Sequence, residues 1–187
     1  MMDVPDSIIV TLGAVADKIV GRTAIQKLIY FEKVLCLVDA NYRPHYYGPY
    51  SSEVTGTIQE LAALGFVEEK METRETTGYS VSDDWKRYCY KLTNDGSDFL
   101  AAVKNEDSKS CDNISEIVRI CGRRSKFNPQ ILSWAAKVHY IASHEDKAME
   151  FKEIIYNAKE FRWNLTEDNI KIAVDLLNDL RLIKDHD

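Results

Sequence analysis

No two cysteines in the sequence are spaced to hold a metal. The four, Cys36, Cys89, Cys111 and Cys121, stand 53, 22 and 10 residues apart, with no C-x-x-C pair and no histidine beside them. That excludes a zinc ribbon or finger and predicts four reduced thiols, with Cys36 buried in the apolar VLCLV run as a small hydrophobe. Catalytic signatures are missing too: H-E-x-x-H, G-x-S-x-G, G-x-G-x-x-G and G-K-[ST] are all absent. His139 and His144 are five apart, which does not align them on one helix face, and Glu116, Glu150 and Glu153 occupy ordinary positions on amphipathic segments. No enzyme, metal or cofactor is expected. No apolar run approaches the ~20 residues that span a bilayer, and the N-terminus lacks a basic leader, so a soluble cytoplasmic chain without a membrane partner is expected. Nor is there an excess of positive charge. The net charge is -6, and neither part of the chain, divided at residue 105, is basic overall; contact with nucleic acid would need a local patch.

What is present is a globular composition, 45% apolar and 29% charged over 187 residues. Residues 5–20 carry apolar side chains at helical spacing, with Asp6 or Ser7 as N-cap, and predict a first helix ending near Gly21. A second, unusually apolar helix follows over residues 23–40, capped by Thr23. Residues 39–50 turn to aromatics, proline and glycine, and Pro44 limits them to an edge or irregular strand. Ser51 then caps a helix over residues 52–64, closed by Gly65. Two strands around a polar turn at Gly78 and a helix from Thr93 complete a mainly α unit with a small antiparallel wing: a winged helix-turn-helix over residues 1–105. The polar stretch 106–113 marks a boundary. Beyond it, residues 112–187 form a helical domain, with Asn128 and Thr166 as caps and Pro129 at a first helical position. Leu61, Leu64, Phe66 and Val67 share their spacing with Leu177, Leu180, Leu182 and Ile183, which leaves a second, abbreviated winged helix open.

With GRTAIQKLIYFEKVL, then YYGPYSSEV and YKLTNDG, the chain resembles the uncharacterised prokaryotic winged-helix proteins of the YwgA type, and more distantly the Panacea antitoxin domains. The matched positions are Gln26, Lys27, Tyr30, Tyr47, Gly48, Pro49, Tyr50 and Ser51. The YwgA-type resemblance implies a fold and no activity. The Panacea resemblance implies protein binding that neutralises toxins, although FEKVLCLVDA lacks the tryptophan that often follows the helix motif there.

Two functions compete on this scaffold. In the first, a protein-interaction module uses Tyr46, Tyr47 and Tyr50 as low-entropy anchors, together with Ser52, Thr55 and Gln59 on the exposed face of the helix. In the second, a DNA-binding regulator reads bases through Gln59 and meets phosphates through Arg119, Arg123, Arg124 and Lys126. The helix itself favours the first, since it offers Glu53 and Glu60 and no lysine or arginine to a polyanion. The structural frame falls to Gln26, Tyr30, Gly48, Pro49, Ser51 and Gly65. A buried Gln26 must be hydrogen-bonded, and is expected to tie its helix to the turn near Gly48. A homodimer also stays open, though no heptad run calls for one.

Overall fold

The computed structural model describes residues 1–74, 85–143 and 149–183. The expected turn at Gly78 and His144 lie outside these residues. Among them the chain is mainly helical, with one small antiparallel sheet: α1 (Val4–Gly13), β1 (Ile19–Val20), α2 (Arg22–Val34), α3 (Ser52–Ala63), β2 (Val67–Arg74), β3 (Trp85–Leu92), α4 (Asn94–Glu106), α5 (Ser108–Ser125), α6 (Pro129–Ala142), α7 (Phe151–Glu160) and α8 (Glu167–Asp179). The sheet order is β1-β3-β2, so β3 lies in the middle, with Ile19 opposite Tyr90 and Val67 opposite Leu92.

The first helix is shorter than its sequence pattern predicts. It is capped by Asp3, whose carboxylate accepts from the Asp6 amide at 3.0 Å, and it stops at Gly13. Ile19 and Val20 pair with β3 instead of continuing the helix; so short an apolar run satisfies a strand as well as a helix. The second helix starts at Arg22 after Gly21, at φ +92, and Thr23 is not its cap. Arg22 fastens this start to the sheet. Its Nε donates to the Tyr90 hydroxyl at 2.7 Å, and that hydroxyl donates to Glu69 at 2.6 Å.

Other caps fall as the side chains dictate. Ser51 Oγ accepts from the Val54 amide at 3.2 Å, Thr93 Oγ1 from Gly96 at 3.0 Å, and Asn128 Oδ1 from Gln130 at 2.9 Å. The polar stretch expected as a boundary is helical on both sides of Asp107, whose carboxylate caps α5 through Ser110 at 3.0 Å. Its polarity hides a buried stripe, in which Cys111, Ile114 and Val118 pack with Val10 and Val103. The larger core crosses residue 105 without a break, joining Ile25, Leu28 and Phe31 of α2 to Leu132 and Ala135 of α6 and Leu177 of α8.

The matched spacing at residues 61–67 and 177–183 has a local cause. At the end of α3, Phe66 N–H donates to Leu61 O at 3.0 Å and Gly65 has φ +84; at the end of α8, Leu182 N–H donates to Leu177 O at 2.9 Å and Arg181 has φ +56. Both are helix endings closed by a left-handed residue. The same bond joins Leu37 to Glu32 and Trp163 to Ala158, both at 2.9 Å, around Cys36 and Arg162. Residues 182 and 183 form no strand. Cys36, expected to be buried, is exposed because it is the left-handed residue at the end of α2, while Cys89, Cys111 and Cys121 are buried and all four are free thiols. No helix among the described residues is long and apolar enough to cross a membrane.

Candidate functional site

The segment between α2 and α3 has no regular structure beyond two isolated bridges, Val38 to Met2 and Arg43 to Tyr50, yet it is firmly held. Every second carbonyl from residue 45 to residue 51 accepts a hydrogen bond from a buried side chain. Trp163 Nε1 donates to His45 O at 2.7 Å, Ser133 Oγ to Tyr47 O at 2.7 Å, Lys27 Nζ to Pro49 O at 2.5 Å and Gln26 Nε2 to Ser51 O at 2.7 Å. Gln26 and Lys27 come from α2, Ser133 from α6, and Trp163 from the connection between α7 and α8. Parts of the chain distant in sequence thus staple one loop.

Gln26 ties α2 to the start of α3, as its burial required. Its amide nitrogen also donates to Thr55 Oγ1 at 2.9 Å, while its oxygen accepts from the Ser51 N–H at 3.0 Å. Gly48, at φ +93, stands where a Cβ would come to 3.0 Å from Lys137 Cγ, so the turn favours glycine for its conformation, and a side chain there would crowd Lys137. Tyr30, one turn on from Gln26, places its hydroxyl 2.9 Å from His139 Nδ1, and Tyr42 donates to Gln26 O at 2.9 Å. Burial pushes the Tyr30 and Tyr42 hydroxyls well above the ordinary tyrosine range.

Lys27 is the exceptional member of this group. It is 1% exposed, makes its one hydrogen bond to Pro49 O, and has no carboxylate within ion-pair distance among the described residues. Burial, with the Lys137 charge adding to it, lowers its ammonium to about 7. Sequence inspection recognised Lys27 as a matched position without giving it a role. A lysine inside a helix expected to be covered on most sides was the available signal. Ser133 and Trp163 were missed, although a buried indole N–H must find an acceptor.

On the outer side of the stapled loop, Tyr46 and Tyr47 are 69% and 58% exposed, their rings edge to face with centroids 4.9 Å apart. Tyr50 is half-buried, its ring 5.1 Å from that of His45. Ser52 and Gln59 are exposed on α3, with Glu53 and Glu60 beside them, whereas Thr55 is half-buried and its hydroxyl already serves Gln26. Gly65 ends the helix.

The residues expected to meet phosphates lie elsewhere, and the three arginines among them are engaged. Arg119 donates to Glu116 at 2.7 and 2.5 Å, Arg123 to Asp179 at 2.8 Å, and Arg124 to Asp179 at 2.6 and 2.7 Å; Lys126, in a left-handed conformation, is exposed. The hydrogen bonds from Arg124, and then the one from Arg123, hold the Asp179 carboxylate down at about 2. No group of three histidine, cysteine or acidic side chains among the described residues could hold a metal ion.

No family model matches the sequence. Uncharacterized protein YwgA of Bacillus subtilis (strain 168) is 32% identical to this chain over 167 residues, covering 89% of the chain and 90% of that relative. The similarity therefore takes in the stapled loop and most of the helices that hold it, and by it the chain belongs to the YwgA family.

Proposed function

We propose that the chain is a non-enzymatic protein-interaction module of a prokaryotic regulatory or toxin-neutralising system, with a winged helix-turn-helix over residues 1–105 and a helical domain over residues 112–187 that share one core. The element order α1-β1-α2-α3-β2-β3 and a sheet with β3 between β1 and β2 support the winged-helix assignment. The observation that carries the functional part is the pair of exposed tyrosines on a loop whose alternate carbonyls are tied down. Large amphipathic side chains on a rigid backbone bind without a large ordering cost, which is how anchor residues work. Beside them the exposed face of α3 presents Glu53 and Glu60, neither in an ion pair among the described residues, and no cation. A polypeptide tolerates that surface; a polyanion is repelled by it.

The winged-helix scaffold also serves DNA regulators, and a fold alone does not choose between the two. The internal pairing of Arg119, Arg123 and Arg124 weighs against the second function, because each must give up a carboxylate to take a phosphate. The test is affinity capture from the native host at moderate salt with wild type, Tyr47→Ala and Gln59→Arg. Gln59 is the helix position to change and Thr55 is not, because changing Thr55 would also remove an acceptor from Gln26. One protein partner should be retained by wild type and lost by both variants. Equal capture by all three overturns the proposal.

A further inference from the structure

The stapled loop contains one bond unlike the other three. Trp163, Ser133 and Gln26 are neutral donors, but the donor to Pro49 O is an amine whose charge depends on pH, sealed from solvent and beside a second lysine. Two effects compete when Lys27 is protonated. A charged donor strengthens its hydrogen bond to a carbonyl. Against this, an ammonium without a counter-ion loses its hydration, keeps N–H groups for which the loop provides one acceptor, and is repelled by Lys137. Burial outweighs the single bond.

The surroundings offer no relief. From α6 come Lys137 and His139, the latter engaged with Tyr30; from the segment after α2 comes Tyr42; from the first turn of α3 comes Glu53, whose charge acts on Tyr42. Glu32 and, from α5, Cys121 lie near one another, with Glu32 bonded to α1. The β1 residues Ile19 and Val20 carry no charge. None of the acidic groups makes an ion pair with Lys27.

We propose that residues 45–50 form a proton-gated binding element: a neutral Lys27 amine keeps the tyrosine loop closed on α2 and α6, and an ammonium at the same place releases it. The inference rests on the loop being the partner surface, and it names the regulation of that surface. In the closed state Tyr46 and Tyr47 are presented on a fixed backbone. In the open state Lys27 reaches water and the pair loses its fixed geometry, so partner affinity falls on acidification.

The test is amide hydrogen exchange of the full chain, corrected for intrinsic rates, at about pH 8.5 and about pH 5.5. The reporters are the Gly48 and Tyr50 N–H groups, bonded to His45 O and Arg43 O at 2.9 Å each. In wild type their protection should fall at least about tenfold on acidification while amides of α5 lose none, a local opening of the size that a shift of more than one pKa unit produces. Lys27→Met should make loop protection independent of pH, and His139→Gln should leave the wild-type profile in place. A flat wild-type profile, a pH response that survives Lys27→Met, or one abolished by His139→Gln overturns the proposal. Should Lys27→Met fail to fold, the wild-type Lys27 Cε resonance decides: titration near pH 7 together with loop exchange supports the gate, and titration above about pH 10 overturns it. Failure of this gate leaves the Tyr47→Ala capture result untouched, so the two proposals fail separately.

Discussion

Two ionisable side chains are sealed inside one helix, five residues apart, and they do not pair. Lys27 points to the loop and α6, where it meets one carbonyl and another lysine. Glu32 is fully buried toward α1, where it accepts hydrogen bonds from Ser7 Oγ and, at 2.6 Å, from Thr11 Oγ1. Burial pushes the Glu32 carboxyl up to about 8 against the two hydroxyls, so it is a mostly neutral acid held by neutral partners. The contrast separates structure from function. Glu32 sits between helices with its hydrogen bonds satisfied, which is what a core position needs. Lys27 spends its burial on an exposed loop, which is where a protein meets its partners.

The comparison predicts an unusual dependence of stability on pH, and this is the largest effect expected. The Glu32 carboxyl is raised above its ordinary 4.5, so the folded state keeps a proton that the unfolded state has lost, and stability falls as pH rises from about 4.5 through about 8. The Lys27 ammonium is lowered below its ordinary 10.5, so the unfolded state binds the proton more tightly, and stability rises as pH goes from about 7 to about 10.5. Denaturant melts should give the lowest stability between about pH 7 and about pH 8, with gains on the order of a few kcal/mol toward either side. Glu32→Gln should flatten the acid side alone, and Lys27→Met the alkaline side alone. A bell-shaped curve with its maximum near neutrality would erase the distinction between the two sites.

Gln26→Leu is next in size. It strips the Ser51 N–H and carbonyl and the Thr55 hydroxyl of their partner, and leaving buried polar groups unmet costs on the order of 2–4 kcal/mol. Thermal melting that matches wild type would show the loop to be held without it. The smallest effect falls on Gly48→Ala, about 1–2 kcal/mol from a side chain at positive φ. Its value lies in sharpening the comparison: crowding at Lys137 should weaken the bond from Lys27 and leave Glu32 unaffected, so the alkaline side of the stability curve shrinks while the acid side stays.

The parts of this architecture that were legible in the sequence are those set by neighbouring residues. Ser51, Asn128, Thr166 and Gly65 terminate helices where their side chains or conformations require it. The alternating tyrosines of β3 and the isolated polar Gln26 likewise disclosed their settings. What was not legible depended on distant partners. Ile19 became a strand because β3 offered it an edge, and Arg123 and Arg124 lost their availability to Asp179, 56 and 55 residues away. The staple combines residues 26 and 27 with residues 133 and 163, and no local pattern announces that. The matched spacing of α3 and α8 misled for the opposite reason, since a helix ending common to α2, α3, α7 and α8 imitates a repeat.

The proposed function gives the surface formed by Tyr46, Tyr47 and the acidic face of α3 to a protein and not to a polyanion. Fluorescence anisotropy of a labelled random-sequence DNA duplex, titrated with the full chain at low and at physiological salt, tests that assignment most directly. The account predicts no saturable binding at either salt, and no difference on Arg123→Glu with Arg124→Glu. Tight binding at low salt that weakens steeply with added salt, with a slope flattened by that double substitution, contradicts it.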